Sequence, residues 1–149
     1  MQYLVFSDIH ANAEALDQVA EEVRTLRPDF VVSLGDVVGY GASPRECVEI
    51  VDSISDLRIM GNHDRVAAGL EDAERFNTIA RISIEWTKEA IDPSHREKLA
   101  AYEPAVSHGN CLFAHSSPIS PLDWEYVYTI AQARRILGET SERFVFVGH

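Results

Sequence analysis

Five short apolar runs punctuate the chain, and each hands over to a polar residue able to bind a metal ion. Tyr3-Leu4-Val5-Phe6 leads to Asp8-Ile9-His10, and Phe30-Val31-Val32-Ser33-Leu34 leads to Gly35-Asp36. Leu57-Arg58-Ile59-Met60 leads to Gly61-Asn62-His63-Asp64. Cys111-Leu112-Phe113-Ala114 leads to His115, and Phe144-Val145-Phe146-Val147 leads to Gly148-His149. Short apolar runs bounded by turn residues read as buried strands. Between the first two runs Leu16, Val19, Ala20, Val23 and Leu26 recur at helical spacing, with Asn12 as N-cap and Arg27-Pro28-Asp29 as the stop. Between the second and third, Ser43-Pro44-Arg45-Glu46 joins a capping-box pattern to a proline at the first helical position. Cys47, Val48, Val51 and Ile54 form that helix's apolar face. The order β-α-β-α-β predicts a parallel sheet with right-handed crossovers.

The middle of the chain changes character. Arg65 to Pro104 carries helical patterns and no convincing strand. Asn77 is expected to cap a helix whose apolar side includes Ile79, Ile82, Trp86 and Ala90. Ser94-His95-Arg96-Glu97 reads as another capping box, opening a helix that runs to about Tyr102. Ser116 to Asp123 reads as a loop, and Ile130–Leu137 as a helix ended by Gly138. In an open α/β sheet, ligands bind along the edge formed by the carboxyl ends of the strands. The residues from Asp8 to His149 are therefore expected to converge on one cleft.

Composition sharpens this. The chain has 149 residues, 46% of them hydrophobic, which fits one domain with a real core. Its formal charge is −11, from 24 acids against 13 bases. Gripping duplex nucleic acid through its phosphates needs a basic face, and no such face is visible. If the protein handles phosphate, metal ions are the obvious source of positive charge. Cys47 and Cys111 lie far apart among apolar residues, as buried thiols in a reducing compartment do. No apolar stretch approaches the roughly 18 residues of a membrane span, and no signal-peptide pattern opens the chain. A cytoplasmic protein without a membrane partner is expected.

Taken singly, the polar blocks are ambiguous. Asp8 and His10, two apart on an extended segment, point to the same side and suit one metal. They equally suit a turn and a helix approach. Gly35-Asp36 alone reads as a turn. The glycines around Tyr40 do not match a phosphate-binding P-loop. Gly61-Asn62-His63-Asp64 is stronger: it offers an amide oxygen, an acid/base imidazole and a carboxylate to orient it. His115 and His149 each end a strand. His95 and His108 do not follow apolar runs and are expected to be solvated loop residues.

Together, the order Asp-x-His, Gly-Asp, Gly-Asn-His-Asp, His and Gly-His resembles the calcineurin-like metallophosphoesterase family. Within it, the chain looks like small bacterial phosphoesterases grouped with symmetric diadenosine tetraphosphatases and serine/threonine phosphatases. Val38-Gly39-Tyr40-Gly41-Ala42-Ser43-Pro44, Phe76-Asn77, Glu85-Trp86-Thr87 and Pro121-Leu122-Asp123-Trp124-Glu125-Tyr126 support the likeness. It implies an α/β fold, a four-layer α-β-β-α sandwich, with the second sheet incomplete in this chain. It also implies two divalent metal ions, and the mixed N/O donors favour Mn, Fe, Zn, Co or Ni. Asp8 and His10 would then bind the first metal, Asp36 would bridge both, and Asn62, His115 and His149 would bind the second. His63 would be the catalytic histidine near the leaving group, with Asp64 as its partner.

The implied activity is metal-dependent hydrolysis of a phosphate ester by a hydroxide bridging the two ions. Two metals about 3.5–4 Å apart lower the pKa of such a water and neutralise the phosphoryl oxygens. The ester would be a phosphodiester, a phosphomonoester or a dinucleoside polyphosphate. Its carrier would be a small molecule, a nucleotide or a phosphoprotein. The alternative is a non-catalytic scaffold or binding module on the same fold, and the presence of His63 tells against it. The loops Val38–Ser43, Arg65–Asn77 and Ser116–Tyr126 should choose the substrate. There Tyr40, Trp124 and Tyr126 read first as packing residues and second as stacking surfaces for a base, while Arg65 and Arg75 are candidate phosphate contacts. Two positions depart from the family pattern. Ser116 stands where the family has glycine. The family's last block is Gly-His-x-His, whereas this sequence ends at His149, so a truncated chain with a weaker first metal site is expected.

Overall fold

The computed structural model describes residues 1–149. Its elements are β1 (Tyr3–Phe6), α1 (Ala13–Leu26), β2 (Phe30–Ser33), α2 (Pro44–Ile54), β3 (Leu57–Arg58), α3 (Asn62–Ala67), α4 (Thr78–Ala90), α5 (Pro93–Ala100), β4 (Ala105–His108), β5 (Cys111–Ala114), α6 (Ile130–Glu139) and β6 (Phe144–Val147). Strands β1, β2 and β3 form a parallel sheet in that order. A second sheet has the order β4-β5-β6, with β4 antiparallel and β6 parallel to β5. A crossover through α6 joins the parallel strands β5 and β6.

Two apolar clusters hold the layers together. Leu16, Val48, Val51, Ile84 and Leu99 belong to the larger one, where the helices cover the first sheet. Val32, Leu34, Ile59, Cys111 and Phe113 form the second, between the two sheets. Val31 and Val32 are both buried although they point to opposite faces, because β2 is covered on both sides. This is the expected α-β-β-α layering. No helix is long and apolar enough to cross a membrane.

The helix starts follow local chemistry, with exceptions. Asn12 and Asn77 accept from the backbone N–H groups of Ala15 and Ala80, as helix N-caps do. The Ser43 side chain makes no cap bond, so Pro44 at the first turn sets the start of α2. The box expected at Ser94 forms two residues earlier. Asp92 caps α5, because Pro93 belongs at the first helical position, and the Asp92 N–H donates to His95 Nδ1 at 3.3 Å. Helix α6 runs through Gly138 and ends at Thr140.

Other expectations are corrected. Strand β3 is only two residues long, because Met60 N donates to Glu103 O at 2.8 Å and leaves the ladder of β2. Strand β4 was not expected from the sequence, being short and not markedly apolar. Its signal was the Gly109-Asn110 turn leading into β5. His108 is therefore a strand residue, half-buried, with Nδ1 2.7 Å from the Tyr3 hydroxyl. His95 is buried, with Nε2 3.3 Å from Glu49. Neither is a solvated loop residue. Helix α4 presents the opposite face to that expected. Ile79 is 73% and Ile82 67% exposed, while Ala80, Ile84 and Thr87 are buried. Both stripes have helical periodicity, and the one with small residues packs on α3 and α2 because it allows closer approach.

Candidate metal centre

The loops after β1 and β2 continue the ladder of the sheet. Asp8 N donates to Gly35 O at 3.0 Å, His10 N to Asp36 O at 2.9 Å and Ala11 N to Val37 O at 2.8 Å. The glycines of the second and third blocks lie back to back. A Cβ on Gly35 would run into the Gly61 backbone, and one on Gly61 into Asp36. Gly35 also has φ +99°, where other residues are strained. Glycine at both positions thus lets the ends of β2 and β3 meet. Asp8, His10, Asp36 and His149 all hold left-handed backbone, with φ of 57°, 50°, 52° and 62°. Such conformations cost about 1–3 kcal/mol each and cluster at functional sites.

The donors converge as the strand-end argument requires. His10 Nδ1 faces Val38 O at 3.1 Å, leaving Nε2 directed at Asp8 Oδ1 (3.8 Å) and Asp36 Oδ2 (3.6 Å). His115 Nδ1 faces Leu34 O at 2.8 Å, and its Nε2 lies 3.4 Å from the same Asp36 Oδ2 and 3.2 Å from His149 Nδ1. A ring that gives its Nδ1–H to a carbonyl presents the Nε2 lone pair, the usual arrangement of metal-ligating histidines. His149 N donates to Asp8 Oδ2 at 3.2 Å, which ties the last block to the first. Asn62 Oδ1 is buried without any hydrogen-bond partner. A buried acceptor left unpaired is costly, and a cation would satisfy it. Two groups of donors able to hold a metal ion result, His10 with Asp36 and His63, and Asp36 with His115 and His149, the donor atoms of each lying within 4.8 Å of one another and Asp36 belonging to both.

Electrostatics couples the groups. Burial would raise the Asp36 carboxyl, but the neighbouring His115, His63 and His10 charges outweigh it and hold it at about 2. Burial opposes protonation of His115, yet the Asp36 charge and hydrogen bond raise it to about 9. His149 is lowered, by burial and by the His115 charge.

His63 and Asp64 have separate environments. The Asp64 carboxylate accepts from Val37 N (2.9 Å), Val38 N (3.2 Å) and Gly61 N (3.1 Å). It therefore clamps the second block to the third and does not orient the His63 ring, contrary to the expected pairing. Burial and the Asp36 charge raise Asp64 to about 7. The His63 ring instead lies among Phe76, Tyr40 and His10, with centroids 4.5, 4.8 and 4.9 Å away, and its Nδ1 has no partner. Burial lowers it to about 4. His63 N donates to Asp36 Oδ1 at 2.9 Å.

A pocket of about 260 Å³ opens beside this cluster, with Asn62, His63 and His149 in its wall. Arg75 lines it, whereas Arg65 is held by Glu71 at 3.1 Å. Glu71 also accepts from Trp124 Nε1 at 3.2 Å, a role no motif marked. Phe76 lies in the Arg65–Asn77 loop expected to choose the substrate, and it forms part of the pocket wall.

Donors able to hold a metal ion thus gather at the carboxyl ends of strands from two packed sheets. The sequence pattern described as calcineurin-like phosphoesterase matches residues 1–146, and the chain belongs to that family. It is 37% identical over 128 residues to the uncharacterized protein MJ0912 of Methanocaldococcus jannaschii, a match covering 83% of this chain and 53% of the relative. The crystal structure of a metallophosphoesterase from Sphaerobacter thermophilus is similar with a TM-score of 0.85 at 36% identity, over 100% of this chain and 60% of that one. The hypothetical protein PH1004 of Pyrococcus horikoshii shares the fold, with a TM-score of 0.84 at 19% identity, over 98% of this chain and 68% of that one. The chain thus spans little more than half the length of the relatives it matches at 36–37% identity.

Proposed function

We propose that this protein hydrolyses phosphate esters with two divalent metal ions held at the strand ends. One observation carries the reading: Asp36 Oδ2 lies between His10 Nε2 and His115 Nε2, at 3.6 and 3.4 Å. One carboxylate oxygen facing two separate donor sets suits a bridge. Asp8 and His10 would hold one ion beside it, and Asn62, His115 and His149 the other. When bound, such ions supply positive charge for the phosphoryl oxygens and activate a water near neutral pH.

In the reaction, water oxygen bonds to phosphorus, the ester P–O bond breaks, and the alcohol leaves with a proton. His63 lines the pocket beside the metal ligands, so it is the group placed to meet the departing oxygen. Its depressed basicity keeps it neutral at pH 7, where it offers an N–H to the leaving group. A scaffold on this fold would have no use for a histidine in that place. With Asp8 and Asp36 ionised, two divalent ions still leave the site net positive, which reconciles phosphate binding with a chain of net charge −11. That charge also argues against a duplex nucleic acid as partner. The free, buried thiols of Cys47 and Cys111 favour the cytoplasm.

The test is phosphate or alcohol release from phosphomonoesters, phosphodiesters and dinucleoside polyphosphates with added Mn²⁺, before and after chelation. Turnover that disappears with the metal supports the reading. Metal binding with no turnover of any ester class points to the scaffold.

A further inference from the structure

We propose that the pocket beside the metal centre is a subsite for a planar aromatic group, which makes nucleoside phosphates the preferred substrate class over aliphatic or peptide phosphates. The proposal rests on the phosphoesterase reading above and adds what the ester carries. Four of the eleven lining residues are aromatic, Tyr40, Phe76, Trp124 and Tyr126, although aromatics make up only 9% of the chain. Rings there for packing alone would be covered, but Tyr40 is 49% and Tyr126 43% exposed.

The walls are fixed in place. The Trp124 indole is tied to Glu71, which also holds Arg65, and Trp124 keeps a left-handed backbone with φ 59°. Tyr126 stacks on the His149 ring with centroids 3.8 Å apart and on Tyr128 at 4.9 Å. Walls held by such contacts pay little ordering cost when a ring enters. At about 260 Å³ the space suits one flat ring system and is small for a run of polypeptide. His63 and His149 border the same space, so a base in the pocket would keep its phosphate near the metal ligands. Arg75 and Asp123 at the exposed rim offer a cation and an acceptor to the sugar and any further phosphate.

The test compares two ligands that share a phosphate and differ in the base. Adenosine 5′-monophosphate and ribose 5-phosphate are titrated into the Mn²⁺-loaded chain by calorimetry, and phosphate release from each is followed in parallel. A stacked base is worth about 5- to 150-fold in affinity, so the nucleotide should bind at least about fivefold tighter. In Tyr40→Ala that ratio should fall towards one. Phe76→Leu is the second variant and should lower the ratio by a smaller factor. Equal affinity of the two ligands in the wild type overturns the subsite, and phosphate release from both would leave the phosphoesterase reading standing. Neither binding nor release from either ligand overturns both.

Discussion

The two halves of the metal centre are built differently. On the first-sheet side, Asp8 and His10 have side chains 35% and 24% exposed, held by loops zipped to their neighbours. On the second-sheet side, His115 is fully buried and locked to the Leu34 carbonyl of the opposite sheet. Asp36, 3% exposed, stands between them. One half is open to solvent and exchange. The other is anchored in the protein interior by His115, where charge and hydrogen bonding have large consequences. The same ligand chemistry should therefore produce different failures on the two sides.

The largest effect is expected at the shared residue. Asp36→Asn should empty both halves and reduce ester hydrolysis by about a thousandfold or more, read from metal content and turnover together. Loss of only one ion would show that the halves do not share this carboxylate. Next comes His63→Asn, which should keep the metal and lose about 10²–10³ in rate, as expected for removing one placed hydrogen-bond donor to the leaving oxygen. If it lost metal instead, His63 would belong to the ligand set of the first-sheet half.

The comparison then concerns stability without metal. His115→Ala strands the buried Asp36 charge and should cost about 3–5 kcal/mol in the chelator-treated protein. His10→Ala, at a partly exposed position, should cost about 1 kcal/mol or less. Urea unfolding of both variants measures the difference, and equal losses would break the contrast between the halves.

The smallest effect is on pH dependence. His115 is raised to about 9 from 6.5, so its contribution to stability is complete below pH 6.5 and is lost as pH rises through about 9. Asp36 is lowered to about 2 from 3.8, so its contribution is complete above 3.8 and is lost as pH falls through about 2. The Asp36 and His115 pair should therefore contribute most to the stability of the metal-free protein between pH 3.8 and 6.5. Ligation needs a neutral imidazole, so metal uptake at pH 7 should release a proton, and affinity should rise with pH up to about 9. Calorimetry in buffers of different ionisation enthalpy counts that proton.

Legibility in the sequence followed the same division. The first-sheet half repeats one βαβ unit, with β2 buried on both faces and β1 and β3 partly buried. Apolar runs and polar punctuation therefore stood out at Asp8, Asp36 and Asn62. His115 and His149 were legible by the same strand-end rule. What stayed hidden depends on tertiary pairing. Strand β4 is polar because one face is solvated. The stripe of Ile79, Ile82 and Trp86 on α4 resembles a core face as closely as the buried one does. Asp64 follows His63 in sequence, yet three backbone amides of the folded loops claim its carboxylate. Adjacency in the chain does not reveal which partner wins. The aromatic pocket draws on loops separated by dozens of residues, and no single window displays it.

Anomalous diffraction at the manganese edge from Mn²⁺-soaked crystals tests the central claim most directly. The account predicts two peaks about 3.5–4 Å apart with the Asp36 carboxylate between them. The stronger peak should lie on the His115, His149 and Asn62 side. A single peak with Asp36 at its margin, or two peaks that do not share Asp36, would contradict it.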